Sequence, residues 1–124
     1  MYCFYMVKEM HKYFEINNQL DNIIYWCHQI LIECSDYQKN KKNEYRENVI
    51  KMASRLSIKI SQFRQFDFED FQQDEFGAIC NLIESLEDEI DKIIFQNDSD
   101  EFYDPTKNIE IAMMDFNKSI GDER

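Results

Sequence analysis

The side chains able to do chemistry in this 124-residue chain are two histidines, four cysteines and 25 carboxylates. Neither His11 nor His28 has a Glu three residues before it, so the Glu-x-x-His element of di-iron bundles is absent. Cys27 and His28 are adjacent, and on a helix they point about 100° apart, a poor pair of ligands for one metal ion. The run from Asp98 to Asp104 has the look of a calcium loop but fails in detail. Its fifth position is Phe102, its sixth is Tyr103 where a Gly is needed, and its twelfth is Ile109 where a Glu is needed. That run reads better as a polar linker with helix-capping acids. No metal and no cofactor are expected.

The cysteines Cys3, Cys27, Cys34 and Cys80 contain no Cys-x-x-Cys pair. Cys27 and Cys34 share one face of an expected helix, roughly 10 Å apart along its axis, which is beyond disulfide reach. They read as free thiols in a reducing cytosol. Cys27, Cys34 and Cys80 fall on expected core faces, where a thiol is inert. Gly77 and Gly121 are the only glycines, too few for a phosphate-cradling loop. With no nucleophile, base and orienting acid in a recognisable pattern, the chain is not expected to be an enzyme.

The carboxylates are unevenly spread. The net charge is −11. Residues 1–64 hold 7 acids and 10 bases, residues 65–104 hold 14 acids and one base, and residues 105–124 hold 4 acids and 3 bases. The middle block alone therefore carries −13. Within it, Glu84, Glu87, Asp88 and Asp91 recur at helical spacing and form one solvent-facing row. Like charges so placed destabilise a helix by a few tenths of a kcal/mol per pair. Lys51, Arg55 and Lys59, aligned on a neighbouring helix, would neutralise part of the row, which could otherwise serve solubility alone. Alternatively the row steers a cationic surface into encounter. Just before it, Phe63, Phe66, Phe68, Phe71 and Phe76 alternate with Asp67, Glu69, Asp70, Asp74 and Glu75. Those rings either fill the core between two helix ends or stand exposed among acids as interface anchors. Tyr2, Phe4 and Tyr5 pose the same question. The candidate partner-binding residues are Asp67, Glu69, Asp70, Phe71, Asp74, Glu75, Glu84, Glu87, Asp88 and Asp91.

These residues must be positioned by helices. Two Gly and one Pro are too few for a turn-rich sheet fold, and 44% apolar residues with 15% aromatics argue against disorder. Cys3, Val7, Met10 and Phe14 predict a short first helix, with Asn17 or Asn18 capping the next. Stripes follow at Leu20 to Cys34, Tyr45 to Phe63, Ile79 to Ile94 and Ile109 to Ile120. Lys39 to Asn43 suits a turn, Asp104-Pro105 a helix start, and Gly121 a left-handed stop. The expected fold is all-α: one compact helical bundle over residues 1–124, with four main helices plus a short N-terminal one.

No run is long and apolar enough to span a membrane, and the N-terminus lacks a secretory pattern, so a cytoplasmic location is expected. The acid excess disfavours nucleic acid as a direct ligand. Composition suits a small non-catalytic protein that neutralises a basic partner, in the way bacterial immunity proteins neutralise nuclease toxins. A nucleic-acid mimic from a phage, or a helical homodimer with an assembly role, are the alternatives. Both monomer and homodimer are compatible with the stripes.

Overall fold

The computed structural model describes the backbone of residues 2–66, 73–96 and 101–121, and the side chains of residues 15–66, 75–96 and 101–120. Four helices make up almost all of it: α1 (Tyr2–Asn40), α2 (Asn43–Phe63), α3 (Gln73–Gln96) and α4 (Thr106–Gly121). The buried positions explain how they assemble. On α1 they are Ile16, Leu20, Ile23, Cys27, Ile30 and Cys34; on α2, Val49, Ala53, Leu56, Ile60 and Phe63. On α3 they include Ile79, Ile83, Leu86, Ile90 and Ile93, and on α4 Ile109, Met113 and Phe116. All four sets alternate steps of three and four residues. That repeat aligns an apolar seam along each helix and favours side-by-side packing at a shallow angle.

Each helix packs on its chain neighbours, and α4 closes the ring against α1. The directions follow from cross-helix contacts. Asn48 reaches Glu33 and Arg55 lies over Trp26, so α1 and α2 run antiparallel in constant register. Glu89 meets Asn108 while Ala78 and Ser119 line a shared groove, so α3 and α4 also run antiparallel. Gln38 bonds Asp104 at one end of α1 and Leu20 shares a groove with Ile120 towards the other, which sets α4 antiparallel to α1. The molecule is an up-down-up-down four-helix bundle.

Two expectations about helix ends change. The short first helix is not separate: the backbone runs as one helix through Asn17 and Asn18 to Asn40. Their capping potential is overridden because Ile16 and Leu20 on either side are both in the core. Gly121 is the last residue of α4, and no described glycine takes a positive φ. The left-handed residue is Lys41 instead, with φ 54°, and its N–H donates to the Tyr37 carbonyl at 2.7 Å to close α1. At the other expected boundary Asp104 does cap α4: its Oδ1 accepts the Thr106 N–H at 3.0 Å, with Pro105 between them.

Candidate functional site

The outward face of α3 gathers most of the described acidic candidates. Glu84, Asp88 and Asp91 are exposed, and Glu75 is half-buried near the start of the helix. Going along the helix by steps of three or four, Phe76, Cys80, Glu84, Asp88, Asp91 and Phe95 form one continuous ridge. It is roughly 28 Å long at 1.5 Å per residue. Phe95, at its C-terminal end, is 83% exposed, the most exposed of the large apolar side chains described. The reason is positional: the seam of α3 runs through Ile90 and Ile93, and Phe95 falls on the opposite face. Phe95 is missing from the residues singled out in the sequence. The signal that could have found it is its phase, four residues after Asp91.

Glu87 does not belong to the solvent-facing row. It leans towards α2, where the Arg64 guanidinium donates to its carboxylate. That bond and the Glu87 charge raise the Arg64 pKa. Asp88 pairs with Lys92 at 3.1 Å, one turn on, and this bond is the main cause of the raised Lys92 pKa. The row is thus partly neutralised by Arg64 and Lys92. The expected neutralising face is placed elsewhere: Arg55 lies over the Trp26 ring, towards α1. Glu84 and Asp91 have no ion pair among the described residues.

Beside the ridge, the α2–α3 seam opens into a groove of about 230 Å³ between Phe63, Phe76, Ile79 and Ile83, with Arg64 and Glu84 at its rim. Cys80 lines this groove half-exposed, a correction to its expected core position. Cys27 and Cys34 are buried as expected, and burial pushes both thiols up to about 12. The aromatic segment divides. Phe63 fills the core, Phe66 packs against it, and Phe76 is partly exposed. Asp67, Glu69, Asp70, Phe68 and Phe71 lie outside the described residues, as do the side chains of Asp74, Tyr2, Phe4 and Tyr5.

One acid of the block has a different role. Glu89 is 5% exposed. Its carboxylate accepts from the Tyr103 hydroxyl at 2.6 Å and from Asn108 Nδ2 at 2.9 Å, with Lys92 Nζ at 3.6 Å. Bonds of this kind offset the hydration a carboxylate loses on burial. Partial burial, and then the bond to Glu89, raise the Tyr103 pKa. The cluster ties the segment leading into α4 onto α3, behind the ridge. Both Glu89 oxygens are occupied by protein donors, so it is a structural clamp.

Among the described residues, no group of three or more His, Cys, Asp or Glu is placed to hold a metal ion. No described helix is long and apolar enough to cross a membrane. No known protein family, curated protein or solved structure matches this chain significantly.

Proposed function

We propose that this chain is a small non-catalytic protein that binds and neutralises a basic protein partner, most simply a bacterial toxin such as a nuclease. The observation that carries the proposal is the α3 ridge, where Glu84, Asp88 and Asp91 lead along an exposed face to an 83% exposed Phe95. An exposed ring alone is ordinary on a protein surface; what supports the reading is its place at the end of a row of exposed acids, two of them without an ion pair among the described residues. In a protein interface an aromatic anchor supplies contact energy and a polar rim supplies steering and register. Arg64 and Lys92 interrupt the acids with opposite charge. That mixed pattern suits a protein surface better than a mimic of continuous phosphates.

The test is a capture experiment from the source organism with the full chain on the resin, beside a variant carrying Glu84→Lys, Asp88→Lys and Asp91→Lys. The expected result is a basic protein retained by the wild type and lost by the variant at moderate salt, whose toxic activity the wild type suppresses. Equal retention of the same proteins by both resins would reduce the ridge to a solvated face.

A further inference from the structure

The opposite side of the bundle, where α1 meets α4, carries its own exposed apolar surface. Tyr25 is 54% exposed, Ile32 51%, Ile111 45% and Met114 59%. Between the two helices runs a groove of about 370 Å³ walled by Ile24, Leu31, Met113 and Phe116, with His28 and Glu110 on its sides. Leaving these large side chains exposed forgoes transfer free energy of about 25 cal/mol per Å² of apolar surface, which a partner covering the face would recover.

The charges around this face have a pattern. On α1 the outward stripe reads Asp21, Tyr25, His28, Ile32, Asp36: apolar and neutral in the middle, acidic at both ends. On α4 it reads Lys107, Ile111, Met114, Lys118: apolar in the middle, basic at both ends. Because α4 is antiparallel to α1, Lys118 stands near the level of Asp21 and Lys107 near that of Asp36. We infer that this face binds a second copy of the chain about a two-fold axis parallel to the bundle. Such an axis lays α1 of each copy against α4 of the other in the same antiparallel register. Asp21 then meets Lys118 of the second copy, Asp36 meets Lys107, and each pair occurs twice. The apolar centres meet between them. The acid block favours this face over others. Its described exposed acids on α3, Glu84, Asp88 and Asp91, stand on the helix diagonal to α1, although Asp104 at the end of the block bonds Gln38 of α1. Pairing through the α1–α4 face therefore keeps the two α3 rows apart, and salt screens such charges over about 8 Å. Pairing through α3 would press them together. The arrangement is independent of what the α3 ridge binds, and it leaves that ridge open.

Sedimentation equilibrium of the full chain from micromolar to millimolar concentration tests it. The expected result is a monomer–dimer equilibrium. Met114→Asp, at an exposed position, should weaken it by about tenfold or more, as an interface centre altered twice per dimer does, with helicity unchanged by circular dichroism. Asp21→Lys and Lys118→Asp should each weaken the dimer, and the double swap should restore it. A wild type that stays monomeric throughout would overturn the proposal. So would a dimer indifferent to Met114→Asp, or one that the double swap does not restore.

Discussion

Replacing Glu89 by Ala should cost this bundle more than any other change to its acid block. The carboxylate accepts two hydrogen bonds, from Tyr103 at 2.6 Å and Asn108 at 2.9 Å, at a position 5% exposed. A bond to a charged acceptor contributes about 1.5–3 kcal/mol net. Both donors discount that figure, because Tyr103 is only half-buried and Asn108 is exposed, so water can replace part of what they lose. Roughly 2–3 kcal/mol for the pair of bonds is a reasonable sum. With an unfolding entropy of about 2.1 cal/mol/K per residue, that loss lowers the melting temperature by about 10 °C. Urea unfolding followed by circular dichroism measures it, with an unchanged m-value showing that the transition is still two-state. Glu89→Gln keeps the size and one acceptor and should cost about half as much. Asp91→Ala, three positions from Asp88 on the exposed ridge, should fall within about 0.5 kcal/mol of wild type. A Glu89→Ala loss no larger than that of Asp91→Ala would refute the clamp.

Gly77 lies inside α3 with nothing within 4 Å of where a Cβ would stand. Gly77→Ala should therefore stabilise the protein by about 0.5–1 kcal/mol in the same urea assay. At the α1–α2 turn Lys41 holds φ 54°, so Lys41→Gly should exceed Lys41→Ala in stability by about 1 kcal/mol, both variants having lost the same side chain. For the cysteines, Cys80 should react with a thiol reagent in the native protein, whereas Cys27 and Cys34 should react only on unfolding, as mass spectrometry of the labelled chain would show. Burial pushes both thiols up to about 12, above the ordinary thiol value of 9.0. The unfolded chain therefore ionises first, and stability should be lost as pH rises from about 9 towards 12. The slope is about 1.4 kcal/mol per pH unit for each thiol, and Cys27→Ala should remove one thiol's share of it.

The helices were legible because burial in a bundle is periodic. Ile79, Leu82, Ile83, Leu86, Ile90 and Ile93 are buried, as their spacing implied, whereas Ile94, expected in the same stripe, is 40% exposed because it falls one residue past the seam at Ile93. Asp104 and Pro105 mark the start of α4 because capping is local chemistry, decided within two residues. Asn17 and Asn18 show where local chemistry fails. Their side chains can cap a helix, but the chain on both sides contributes to one core seam, and α1 continues through them. Packing over many residues outweighs a cap of about 1 kcal/mol.

The acids were harder to read, and Asp88, Glu89 and Asp91 show why. They lie within one helical turn and are chemically alike, yet they have three fates. Asp88 is exposed and paired with Lys92, Glu89 is buried and bonded to α4, and Asp91 is exposed without an ion pair among the described residues. Helical phase separates Glu89 from the other two, since it falls with Leu86 and Ile93 on the inner side. What phase cannot supply is the donor that makes burial tolerable; Tyr103 and Asn108 come from the other side of a chain segment and are known only once α4 is in place. The same holds for Arg64, which reaches Glu87 from the end of α2. Net charge counts all of these acids equally, whereas a partner meets only those left uncompensated at the surface. Among the described acids of α3 that are exposed, those are Glu84 and Asp91, and the ring that stands beside them at the end of the ridge is Phe95. In the proposed complex the charge block supplies steering, and contact energy comes chiefly from the aromatic, because exposed ion pairs contribute about 0–1 kcal/mol each and a buried aromatic anchor contributes about 2 kcal/mol or more.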